Sequence, residues 1–128
     1  MVVDSSALVA VLVGAEDADR FLDALAAEED KYMSALNHLE AAIVMASRKG
    51  DPGSKALAAL VANARVEILP FDASQSEIAF DAWRRYGKGR HPAALNLGDC
   101  AAYALAITLG QKLLFKGEDF VKTDVACY

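Results

Sequence analysis

Short strand-like runs punctuate the chain at Val2-Val3, Lys31-Tyr32-Met33, Val66-Glu67-Ile68-Leu69 and Lys112-Leu113-Leu114-Phe115, with stretches of helical period between them. This alternation is the strongest constraint on the fold. Strands separated by helices build a mainly parallel sheet with helices packed on its faces. Val2-Val3 carries no polar alternation, as expected of a strand buried on both sides. Predicted helices cover Ala7 to Val13 (opened by Ser5 and Ser6), Glu16 to Ala27, Asn37 to Lys49, Ser54 to Ala64, a segment from Asp72 or Ser74 to Tyr86, and Leu97 to Leu109. Gly50 stands where a left-handed C-terminal cap is expected, with Pro52 behind it, and Gly110 ends the last helix. Thr123-Asp124-Val125 is predicted to add a final short strand. Gly87 to Pro92 reads as a loop.

The expected apolar stripes are Phe21, Leu22, Leu25 and Ala26 in the second helix and Leu39, Ile43, Val44 and Ala46 in the third. Ile78, Ala82 and Tyr86 are expected to face inward, as are Ala102, Tyr103, Ala106 and Ile107. Phe80 is assigned to the core and Trp83 to the core or a dimer contact. No repeat, linker or change of composition divides the chain, so residues 1–128 are expected to form one domain.

With 55% hydrophobic and 24% charged residues, the chain is neither a disordered tail nor a low-complexity linker. A chain of this size buries roughly two-thirds of its surface on folding, enough for a core without staples. Two cysteines, Cys100 and Cys127, make no disulfide framework and have no metal-ligand spacing, so a reduced, cytoplasmic protein is expected. The acidic start, Met1-Val2-Val3-Asp4, lacks the basic region of a signal peptide, and no apolar run approaches membrane-spanning length. Thirteen Lys and Arg against 18 Asp and Glu give a net charge of −5, opposite to that of a general nucleic-acid coat. Handling of nucleic acid would therefore need a divalent cation among the carboxylates, and the acidity suits a basic partner.

Four acids stand at element boundaries among apolar or small residues. Asp4 follows the first strand, where open α/β sheets bind ligands; it could equally cap a helix. Glu40, three residues after Asn37, fits a capping box or a metal site. Asp99 lies in a first helical turn, where the helix dipole favours it, yet it is flanked by Leu97 and a run of alanines. Asp119 follows the strand ending at Phe115, with Glu118 and Asp124 competing for its role. If these acids converge, their repulsion calls for a cation, and hard oxygen ligands select Mg²⁺ or Mn²⁺. Metal-assisted hydrolysis of a phosphodiester is the chemistry such a site supports. A receiver-type phosphoacceptor domain and a non-catalytic binding module are the alternatives. The first lacks an acidic pair after strand one, and intact acids at all four places weigh against the second.

Four motifs in order resemble the PIN-domain ribonucleases, and more narrowly the VapC-type toxins of bacterial toxin–antitoxin pairs. They are Val3-Asp4-Ser5-Ser6-Ala7-Leu8-Val9-Ala10, Leu39-Glu40-Ala41, the segment Leu97-Gly98-Asp99-Cys100-Ala101-Ala102-Tyr103, and Leu113 to Phe120 with Thr123-Asp124. The resemblance implies a three-layer α/β/α sandwich with a mainly parallel central sheet, a homodimer, and endoribonuclease activity on RNA. It also implies a cognate antitoxin that threads a basic or aromatic segment into the acidic pocket. It implies Asp4 and Asp99 as principal metal ligands, Glu40 and Asp119 as the other pocket acids, and Ser6 as the hydroxyl that orients the first acid. Arg84, Arg85, Lys88 and Arg90 form the one dense basic stretch and are expected either to touch RNA phosphates or to be a solvated helix end.

Overall fold

The computed structural model describes residues 1–128. Four strands, β1 (Val2–Val3), β2 (Lys31–Ser34), β3 (Val66–Leu69) and β4 (Leu113–Leu114), form one sheet in the order β3-β2-β1-β4. Every pairing is parallel, with Val2 opposite both Tyr32 and Leu113, and Lys31 to Ser34 opposite Val66 to Leu69. The helices are α1 (Ser5–Leu12), α2 (Ala18–Ala27), α3 (Ala35–Asn63), α4 (Ala73–Tyr86) and α5 (Leu97–Leu109), followed by one 3₁₀ turn, Phe120–Lys122. No helix is long and apolar enough to cross a membrane.

Strand side chains alternate between two cores. Val3, Met33, Val66 and Leu114 join α1, α2 and α3 on one face; Val2, Leu113 and Tyr32 join α4 and α5 on the other. This is the expected α/β/α sandwich. The strand order accounts for the two layers. From β1 through β2 to β3 the chain steps one way along the sheet, then jumps back past β1 to place β4 at the opposite edge. Right-handed crossovers taken in opposite directions put their helices on opposite faces. The reversal falls between β1 and β4, where open sheets leave a crevice beyond their strand ends.

Several expectations are corrected. Helix α3 is divided at Gly50 into two helical segments, as expected, but the φ of 60° and ψ of −149° there make a kink rather than a left-handed helical cap. Its buried stripe is Asn37, Ala41 and Met45, while Leu39 and Ile43 are 54% and 58% exposed. The helix begins earlier than expected, with Ser34 as N-cap. Leu22, Ala26 and Ile107 are likewise exposed, and Ala24 takes the inward place in α2. The predicted strand Thr123–Val125 is absent: the Thr123 hydroxyl donates back to Phe120 O, Asp124 is drawn toward α5, and only Cys127 reaches a bridge with Leu113. α5 is buried continuously from Cys100 to Ala106, so it lies between α4, α3 and the sheet.

Candidate active site

Asp4 leaves β1 and becomes the N-cap of α1 in one step. Its Oδ2 accepts from the Ser6 backbone N–H at 3.0 Å and from Ser6 Oγ at 2.5 Å. Ser6 Oγ in turn accepts from the Lys116 N–H at 2.9 Å, which ties the site to the segment after β4. The expected orienting role of Ser6 thus has a geometric basis in this contact. Asp4 is almost completely buried, and burial pushes its carboxyl up to about 7 against the hydrogen bonds from Ser6; the charges of Asp99 and Glu40 push in the same upward direction.

Asp99 occupies the third position of α5. There it forms a reciprocal capping box with Asn96: Asn96 N–H donates to Asp99 Oδ2, and Asp99 N–H donates to Asn96 Oδ1, both at 2.9 Å. Burial again dominates, raising its carboxyl to about 6, with smaller contributions from Asp119 and Glu40. Asp4 and Asp99 each serve at a helix start, and each is buried near enough to the other acids to be raised by their charge.

Glu40 is not a capping-box acid, because Ser34 caps α3. It accepts from Ser5 Oγ across the pocket, and its carboxylate lies against Gly98. A Cβ at position 98 would stand 2.8 Å from Glu40 Cδ, so the glycine allows α3 and α5 to bring Glu40 and Asp99 together. Among the three acids after β4, Asp119 acts on Asp99 through its charge. Asp124 is committed elsewhere: Tyr103 Oη donates to it at 2.7 Å and Arg85 Nη2 at 2.9 Å, and these bonds hold its carboxyl below the usual range.

Two participants carried no clear signal in the sequence. Asn37, expected only as a helix cap, is buried and donates from Nδ2 to Gly98 O at 2.9 Å and toward Asp4 Oδ1 at 3.4 Å. Its Oδ1 has no protein partner. Ser5 reads as a helix-start hydroxyl, and its bond to Glu40 spans 35 residues. Beside the acids, Leu36, Leu39, Ile43, Val44 and Leu97 line an open cleft of about 300 Å³ that reaches Glu40 and Gly98.

The donor set is entirely oxygen. Cys100 points into the core, with its thiol raised to about 11 by burial, and neither His joins the pocket acids. No three of the acidic side chains close to a ligand cage. Oxygen donors suit a hard cation such as Mg²⁺, which is commonly held by one or two carboxylates and completes its shell with water. The buried, unpartnered Asn37 Oδ1 is a further acceptor beside Asp4 for such a shell.

The PIN-domain family model matches residues 1–126. The chain belongs to the PIN-domain family, among its VapC ribonucleases. It is 51% identical over 126 residues to Ribonuclease VapC of Mycolicibacterium smegmatis, covering 98% of both chains. It is 48% identical to Ribonuclease VapC30 of Mycobacterium tuberculosis, covering 98% of this chain and 96% of that one. Among solved structures, Mycobacterium tuberculosis VapC20, described as a Sarcin-Ricin loop cleaving toxin, superposes with a TM-score of 0.80 at 18% identity, covering 98% of this chain and 95% of the other. VapBC2 from Rickettsia felis bound to a DNA fragment from their promoter gives 0.76 at 15% identity, covering 99% and 96%. At those identities the likeness carries the fold alone. For this PIN domain it agrees with the parallel sheet and the two helical layers described above.

Proposed function

We propose that this PIN-domain chain acts over its whole length as a Mg²⁺- or Mn²⁺-dependent endoribonuclease, the toxin of a type II toxin–antitoxin pair in the cytoplasm. The observation that carries this reading is the linkage of Asp4, Glu40 and Asp99, from three separate segments, through Ser5, Asn37 and Gly98 beyond the strand ends, with Asp119 near enough to act on Asp99 by its charge. Asp4 and Asp99 would hold the cation. When bound, it supplies Lewis-acid neutralisation of the phosphodiester and acidifies a water molecule. Ser6 fixes the Asp4 carboxylate, and the Asn96 backbone fixes that of Asp99. Glu40, steadied by Ser5, orients the attacking water, and Asp119 completes the acidic rim.

Arg84, Lys88 and Arg90 would meet RNA phosphates, whereas Arg85 is engaged by Asp124, Tyr103 and Tyr86. The cognate antitoxin would lay a basic or aromatic segment into the acidic pocket, its apolar part against the exposed Leu39, Ile43 and Leu97. The chain would work as a homodimer.

The direct test is purified chain, free of any partner, incubated with structured RNA in Mn²⁺ or in chelator. Cleavage in Mn²⁺ alone, abolished in Asp4→Asn and Asp99→Asn while circular dichroism stays unchanged, is expected. Equal cleavage with and without chelator, or undiminished activity in both variants, would overturn the reading.

A further inference from the structure

We infer that the outer face of α4 is a base-stacking subsite for single-stranded RNA, built from Phe80, Trp83, Arg84 and Arg90. The inference rests on the ribonuclease reading above and adds the surface that grips the strand beside the cut.

Phe80 and Trp83 were expected in the core or at a dimer contact, but they are 58% and 38% exposed. One turn apart on α4, their rings lie nearly parallel, 14° between planes, with centroids 6.1 Å apart. The Arg84 guanidinium sits 5.6 Å from the Phe80 centroid, and that of Arg90 sits 4.9 Å from the Trp83 centroid. Gly87 packs so closely on Trp83 that a Cβ there would stand 2.5 Å from the indole Cδ1, which holds the ring in place. Part-exposed aromatic rings with arginines over them supply both groups that bind single strands: as the guanidiniums turn to the phosphates, the ring faces they cover are freed to stack on bases of any sequence.

Charge selects this occupant over a second copy of the chain. Within a protein of net charge −5, Arg84, Lys88 and Arg90 gather at and just past the end of α4; Asp81 lies 3.7 Å from Arg84 and from Arg85, leaving Lys88 and Arg90 as the unpaired excess. A two-fold contact centred on this end would set arginines against arginines. A polyanion meets no such repulsion. The platform is also tied to the acidic pocket. Arg85 donates to Tyr103 Oη at 3.3 Å and Leu95 N–H donates to Tyr86 O at 2.9 Å, so the end of α4 is fastened to α5, where Tyr103 lies one turn past Asp99.

Trp83 is the single tryptophan, so its fluorescence reports this surface directly. The Asp4→Asn protein, unable to cut, is titrated with a single-stranded oligouridylate. Saturable quenching that weakens with added salt is expected. Phe80→Ala and Trp83→Ala should each weaken binding of a labelled oligonucleotide by roughly tenfold, and Trp83→Phe should stay within about threefold of the parent. Thermal melting checks the fold of each variant, and the quenching assay needs neither alanine variant. Labelled RNA that binds without quenching, or alanine variants that bind like the parent, overturns the subsite and leaves the nuclease reading standing if the wild-type chain still cuts in Mn²⁺. Self-association lost in Trp83→Ala, with RNA affinity unchanged, assigns the face to a second copy and also overturns it. A wild-type chain that neither binds nor cuts RNA fails at the earlier step.

Discussion

Under the proposed reading, Asp4 serves both folding and chemistry, and its burial carries a cost that can be measured. As N-cap it satisfies the Ser6 N–H; as a buried acid with a carboxyl near 7, it resists ionisation. Its folded value lies above the ordinary 3.8, so the folded state holds the proton more tightly than the unfolded chain. Its contribution to stability is therefore fully present below about pH 4 and is lost as pH rises from about 4 to about 7. Asp99, raised to about 6, acts in the same direction over a narrower range. Asp4→Asn should be more stable than the parent by about 1–3 kcal/mol at pH 8, with the difference vanishing near pH 4, as read by urea denaturation. At subsaturating Mn²⁺, cleavage by the parent should rise between pH 6 and 8 as both carboxyls ionise.

Individual residues were legible in the sequence where local context marked them. Asp4 and Asp99 stand in helix-start patterns that their hydrogen bonds reproduce. Asn37 and Ser5 were not, because what distinguishes them is a partner 33 to 61 residues away, and no local pattern encodes that.

At the level of elements, two glycines mark opposite uses of a missing side chain. Gly110 closes α5 in the left-handed region, with φ of 61°. Gly110→Ala should cost about 1 kcal/mol in thermal denaturation and leave cleavage unchanged. Gly98 matters for what lies over it. Gly98→Ala should push the Glu40 carboxylate aside and reduce cleavage by roughly tenfold or more, with little change in melting temperature, because the obstacle is the far end of a flexible side chain. A variant that melts early and cuts normally would reverse that account.

The order of strands and helices was readable from alternating apolar runs, but the faces of α3 were not. Leu39 and Ile43 keep helical spacing and looked like core, while the true inward stripe begins with an asparagine. Spacing shows that a helix has an apolar face; it does not show whether that face meets the protein's own core or borders a cleft. Phe80 and Trp83 follow the same rule. The last predicted strand failed for a related reason: β-branched residues suggested a strand, and Asp124's bonds to Tyr103 and Arg85 held the segment away from the sheet.

For the molecule as a whole, the site and the stability of the fold are coupled. Burial, with a smaller share from neighbouring charges, raises Asp4 and Asp99 and destabilises their ionised forms, a cost that a cation bound between them would relieve. Mn²⁺ at about one hundred times its dissociation constant should stabilise the wild-type chain by about 2.7 kcal/mol, seen as a melting temperature higher by several degrees. The rise should be absent in the Asp4→Asn, Asp99→Asn double variant. An equal rise in both proteins would place the ion elsewhere.

The pairing of β1 with β4 joins Val2 to Leu113 across most of the polypeptide. A chain released from the ribosome after α4 would carry Asp4 and Glu40 but lack Asp99, Asp119 and the strand that seats Ser6 through Lys116. The acidic pocket is therefore assembled only after α5 and β4 have joined β1, and a chain interrupted after α4 should be unable to cleave RNA.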